Sequence, residues 1–234
     1  MNKLSSNQKR ISTILKLIVI VSAVVGTFIS AYAGRHSFMG GSRVFMYFTI
    51  QSNILIAVVS CIGLFLMNRS GAGSASRNSL KVWHVIKFVS TISITLTGVV
   101  FGVVLAPTLG ANAWNFQNTL THLVVPVAAV IDFFVIAPGA GISRKNVFYV
   151  IIPPILYAIY AGIGYIQGWE FADGITYPYF FLNWGSPAGA FGFTSDLPFM
   201  GTAWWILLLL VFLIVIGYGY LALADLIDKL RKKR

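Results

Sequence analysis

Apolar residues run along this chain in blocks too long for a soluble helix, with the polar positions gathered between them instead of repeating along one face. Crossing about 30 Å of hydrocarbon at 1.5 Å per residue takes about 20 mainly apolar residues. Six stretches approach or meet that length: 17–33, 45–67, 88–106, 120–137, 147–166 and 203–224, each free of Lys and Arg. The pattern predicts an all-α polytopic membrane protein, a single six-helix transmembrane domain over 1–234. Pro153-Pro154 removes two backbone donors, so span five is expected to be kinked or broken near its middle. That pair has no counterpart in span two, which weakens a repeat-built transporter.

Composition sharpens the picture. Apolar residues make up 57% of the 234 and charged residues 10%, where an ordinary soluble domain carries about 25% charged. The mean hydropathy of +0.82 excludes a water-soluble globule. A net charge of +11 would suggest nucleic acid in a soluble protein, but here the charges follow topology. Lys and Arg of short connections stay cytoplasmic. Fifteen of them fall on one side: Lys3, Lys9, Arg10, Lys16, Arg69, Arg77, Lys81, Lys87, Arg144, Lys145 and the tail from Lys229 to Arg234. Arg35 and Arg43 fall on the other, with Glu170, Asp173 and Asp196. Both termini are therefore expected in the cytoplasm, with the bilayer and not nucleic acid as the partner. Ala31-Tyr32-Ala33-Gly34 has the small-x-small look of a signal-peptide cleavage site, but the apolar run of span one is longer than a signal core, which favours an uncleaved helix.

Two connections are long. The Gly/Ser/Arg stretch 68–79, with Gly71, Gly73, Ser74 and Ser76, reads as a flexible loop without chemistry. The 36 residues of 167–202 carry Tyr177-Pro178-Tyr179-Phe180-Phe181 and Trp184, and read as an outer aromatic cap. A plain interfacial aromatic belt is the other reading.

Polar side chains inside membrane helices are costly and mark where chemistry belongs. Span two opens with Thr49-Ile50-Gln51-Ser52-Asn53, and Thr49, Ser52 and Asn53 share a helix face. Span four carries Asn118, Thr121 and His122, then Pro126 and Asp132. Pro126 strips the His122 carbonyl of its helical partner, so the helix should deform there. Both spans run from outside to inside, which puts Thr49 and His122 at similar depth on the outer side. Asp132 lies about 15 Å deeper and about 80° around from His122, too far to orient the imidazole. Each residue also has a plainer reading: a hydroxyl bonded to its own helix, an interfacial histidine, a structural acid joining helices. His84 begins span three at the opposite face, so it cannot share a haem with His122. On the outer side His36, His122 and the loop acids leave zinc open but unsupported, without an i,i+4 His pair, and the lone Cys61 makes no internal disulfide; no metal or cofactor is expected.

Three segments resemble the androgen-induced-gene family of multi-pass membrane proteins: Tyr47-Phe48-Thr49-Ile50-Gln51-Ser52-Asn53-Ile54-Leu55, His122-Leu123-Val124-Val125-Pro126 running on to Ile131-Asp132, and Tyr177-Pro178-Tyr179-Phe180. With the six spans, their order extends the similarity over most of the chain. Gln51-Ser52-Asn53 is similar to the bacterial branch, while the animal pattern places four residues, not three, between its His and Pro. Animal members are intramembrane threonine hydrolases that cleave fatty acid esters of hydroxy fatty acids. The resemblance implies Thr49 as nucleophile and His122 as its partner, acting on a membrane lipid or acyl ester without a cofactor, in a bacterial plasma membrane with the site in the outer half. Asn53, Asn118 and Ser52 are candidates for oxyanion stabilisation or orientation, and Asp132, Pro126, Tyr177, Tyr179 and Trp184 for the pocket. Two other classes stay open. A small-solute or lipid transporter would thread a polar path through Thr49, His122, Asp132 and the Thr91, Ser93, Thr95, Thr97 series, and a non-catalytic assembly protein would tolerate loss of Thr49 or His122.

Overall fold

The computed structural model describes residues 4–34, 41–68, 77–136 and 142–233. Arg35, His36 and most of the 68–79 connection lie outside them. Helices α1 (Ser6–Gly34), α2 (Phe48–Asn68) and α3 (Arg77–Val100) belong to the first three crossings, and α4 (Val125–Ile136), α5 (Ile152–Ile166) and α6 (Thr202–Lys232) to the last three. Six helical stretches are long and apolar enough to cross a membrane, and among the described residues no strand forms. The chain is an all-α, multi-pass membrane protein.

Local chemistry explains the element ends. Ser5 and Gln8 form a reciprocal cap ahead of α1, each side chain bonding the other's backbone N–H. Ser143 and Asn146 do the same where the fifth crossing begins. That crossing starts as a 3-10 helix, Arg144–Ile151, and becomes the α-helix α5 at Ile152. Pro153 and Pro154 thus occupy the first α turn, where their missing N–H groups cost least. The expected break falls at this change of winding.

The bundle packs as two connected cores. Val19, Ala23, Ile56, Ile94 and Val125 join α1, α2, α3 and α4, whereas Phe88, Ile92, Phe133, Val147 and Leu213 join α3, α4, the fifth crossing and α6. Glycines let the spans approach where they meet the fourth crossing. A β-carbon on Gly26 would stand 2.7 Å from Thr121 Cγ2, and one on Gly98 would stand 3.0 Å from the His122 carbonyl oxygen. Gln8 donates to the Val135 carbonyl and Arg231 to the Phe134 carbonyl. The start of α1 and the end of α6 therefore share one end of the bundle, the tail end, and the start of α2 lies at the other.

One expectation from sequence needs correction. Lys16 and Lys87 are not on polar connections: α1 begins at Ser6 and α3 at Arg77, so both lysines lie within helices. Each is 1% exposed, and both are ion-paired with Asp132. Lys16 Nζ stands 2.8 and 2.9 Å from the two carboxylate oxygens, Lys87 Nζ bonds the second, and the Ser12 hydroxyl donates to the first at 2.5 Å. A lysine beside an apolar run reads as a span boundary only while it has no partner inside, and here Asp132 supplies one.

Candidate functional site

At the end of the bundle away from the tails, two crossings depart from α geometry. Phe101–Leu105 extends α3 as a π-helical turn, and Leu120–Val124 forms another ahead of α4. The second answers the expected deformation at Pro126: the Val125 N–H reaches back five residues to the Leu120 carbonyl. Such turns often mark functional positions in membrane and soluble helices. His122 sits in one and Phe101 in the other, and their rings stack at 3.7 Å with 21° between planes.

Thr49 is the second residue of α2, and its Oγ1 lies 3.3 Å from His122 Nε2. The opposite ring nitrogen, Nδ1, stands 3.1 Å from the Asn118 carbonyl oxygen. A carbonyl only accepts, so Nδ1 carries the proton and Nε2 presents its lone pair to the Thr49 hydroxyl. Thr121 reinforces this. Its hydroxyl donates to the Gln117 carbonyl at 2.9 Å and lies 3.0 Å from Nδ1, where it accepts. His122 is buried, and Thr49 is half-buried.

The long loop reaches the same spot. It contains two isolated bridges, Ala172 with Ile175 and Phe193 with Met200, and a 3-10 turn at Phe180–Leu182. Tyr47 ties it down by donating to the Phe171 carbonyl at 3.0 Å. Tyr179 stacks on Phe181 at 5.1 Å and meets Tyr47 edge-on at 5.8 Å. Its Oη accepts the Thr49 backbone N–H at 3.3 Å and lies 3.4 Å from Thr49 Oγ1. Burial raises the pKa of this phenol above its ordinary value, so it stays a proton donor at neutral pH.

The other candidate residues divide. Asn53 spends its amide hydrogens on the Thr49 and Thr121 carbonyls, at 2.8 and 3.1 Å, and so brackets the two crossings. Its Oδ1 is buried with no partner. With both N–H bonds committed, Asn53 is a support and a poor oxyanion donor. Asn118 gives its side-chain amide to the Ala113 carbonyl at 2.8 Å, and orients His122 through its main chain. Ser52 lies 2.7 Å from Thr97 Oγ1 and donates to the Thr49 carbonyl. Thr91, Ser93 and Thr95 bond carbonyls one turn back on α3, which is local helix bonding more than a path. Asp132 belongs to the lysine cluster, and Pro126 packs on Gly98. Tyr177 and Trp184 line neither of the two cavities described next; Trp184 lies against Gly162.

Thr49 stands where these cavities meet. A narrow one of about 60 Å³ runs among Thr49, Val100, Ala158, Phe181 and Leu209 and is almost wholly apolar. A wider one of about 360 Å³ is lined by His122, Tyr47, Asn115, Gln117 and Asn118 among others. Tyr179 borders both. Sequence reading pointed to Thr49 and His122 and named Tyr179 as a pocket candidate, but not its hydroxyl as their direct neighbour, because a loop's side-chain aim has no periodicity to read. Among the described residues, no group of His, Cys, Asp and Glu is arranged to hold a metal ion. No family model, curated protein or solved structure matches the chain.

Proposed function

We propose that this protein is an intramembrane lipid ester hydrolase in which Thr49 is the nucleophile and His122 its general base. The observation that carries the reading is the 3.3 Å approach of Thr49 Oγ1 to His122 Nε2, with Nδ1 committed to a carbonyl. Threonine is a weak nucleophile at its free pKa and needs such a base. Thr49 Oγ1 attacks the ester carbonyl carbon as its proton passes to Nε2. The tetrahedral intermediate then breaks its bond to the alkoxy oxygen, which leaves as an alcohol with the proton from His122. Water attacks the acyl-threonine, again losing a proton to Nε2, and a fatty acid departs with Thr49 restored.

The charge that develops on the carbonyl oxygen needs donors beside Oγ1. Tyr179 Oη, 3.4 Å from Oγ1, is the donor at hand, whereas the Thr49 backbone N–H is committed to Tyr179 Oη itself. Tyr179→Phe keeps the ring and removes one donor, so kcat should fall by about 10²–10³ with little change in KM. Steady-state kinetics on an ester substrate would read this, and an unchanged kcat would remove Tyr179 from the role. The resemblance to threonine hydrolases supports the same pair and makes fatty acid esters of hydroxy fatty acids the first class to test. The lysine and arginine bias supports cytoplasmic termini and a site in the outer half of the membrane, and the resemblance of Gln51-Ser52-Asn53 to the bacterial branch supports a bacterial plasma membrane.

The direct test is covalent labelling of the detergent-solubilised protein with a fluorophosphonate ester. Wild type and Thr49→Ser should label and Thr49→Ala should not, with folding of all three checked by circular dichroism. Labelling that survives in Thr49→Ala, or is missing from folded wild type beside a working control hydrolase, removes Thr49 as nucleophile.

A further inference from the structure

The two cavities that meet at Thr49 share one property: among the described residues that line them there is no Lys, Arg, Asp or Glu. Val100, Ala158 and Leu209 give the narrow one an apolar wall suited to an acyl chain. Asn115, Gln117 and Tyr47 give the wider one hydrogen-bonding groups without charge. The rim repeats the pattern. Arg43, one residue before the lining Val44, is engaged by Glu170 at 2.9 Å and by Asp173. Among the described residues of that corner, one cation faces two acids. A carboxylate or phosphate in the wider cavity would meet no cation among the described residues, whereas an uncharged alcohol needs none.

We infer that the substrate is a neutral acyl ester, with its acyl chain in the narrow cavity and an uncharged hydroxylated alcohol, of the acylglycerol kind, in the wider one. This rests on the hydrolase reading but departs from the substrate class the resemblance implies, since esters whose alcohol half bears a free carboxylate, fatty acid esters of hydroxy fatty acids among them, or a phosphate become the disfavoured class. Hydrolysis consumes one water and yields a neutral alcohol and a fatty acid. The acid ionises where no cation among the described residues holds it, which favours its departure.

The test compares turnover by the full-length protein in detergent micelles, read as palmitate release. Its substrates are monopalmitoylglycerol, the palmitate ester of hydroxystearic acid, the methyl ester of that acid, and palmitoyl lysophosphatidylglycerol. The expected result is that the glycerol ester and the methyl ester exceed the free acid and the lysophospholipid by about ten-fold or more in kcat/KM, with every rate lost in Thr49→Ala. Gln117→Lys, which adds a cation to the wider cavity, should raise the ratio of free acid to methyl ester. Free acid turned over as well as its methyl ester overturns the neutral-substrate inference and leaves the hydrolase reading standing, as does a ratio that Gln117→Lys leaves unmoved. No Thr49-dependent release from any of these or from para-nitrophenyl butyrate overturns both.

Discussion

Asp132→Ala is expected to lower the stability of the folded protein by about 3–5 kcal/mol, the cost typical of stripping one partner from a buried ion pair. The reason lies in the asymmetry between breaking a buried ionic cluster and replacing it. Lys16 and Lys87 are each 1% exposed, and both point at the carboxylate of Asp132. Removing that carboxylate leaves two ammonium groups against each other in an apolar bundle. Removing all three charges together leaves none unpaired, so the triple variant Lys16→Met, Lys87→Met, Asp132→Leu should retain most of the stability that Asp132→Ala loses. Thermal unfolding midpoints in one detergent, followed by circular dichroism, give the comparison. An Asp132→Ala midpoint equal to wild type would show that the cluster carries no net stabilisation.

His122→Ala should leave the protein folded and reduce ester turnover by about 10²–10⁴, the range for a lost general base. The imidazole is held on both sides, by the Asn118 carbonyl at Nδ1 and by the Phe101 ring stacked 3.7 Å away. Its removal leaves a gap into which a free imidazole fits. Added imidazole should therefore restore part of the activity of His122→Ala and none to Thr49→Ala. Stopped assays of kcat across an imidazole series would decide this. Equal turnover by His122→Ala and wild type would confine His122 to packing.

How far the residues announced this arrangement varies with the kind of signal they carry. The six crossings were legible because a helix that spans hydrocarbon must be long and apolar, and because the charge count left no soluble alternative. Thr49 and His122 could be placed at one level by counting residues from the ends of two spans that run in the same direction, and the structure puts them 3.3 Å apart. Pro126 told of a deformed helix but not of its form, since losing one donor is compatible with a kink or with the π turn that holds His122. The lysines misled. An apolar-run count ends a span at the first charge, whereas α1 carries Lys16 well inside because a residue on a different span, far along the chain, neutralises it. Tyr179 was named for the pocket, but its contact with Thr49 and the committed amide of Asn53 were illegible for the same reason, as both depend on which atoms meet across elements.

The cluster at Asp132 also bears on the order in which the protein can be built. Synthesis delivers α1 and α3 first, each with a lysine whose partner has yet to be made, and a lone ammonium in lipid bends its stem back toward the headgroups. Only when the fourth crossing arrives can Lys16 and Lys87 turn inward. The one aspartate of the fourth crossing thus fixes α1, α3 and α4 together.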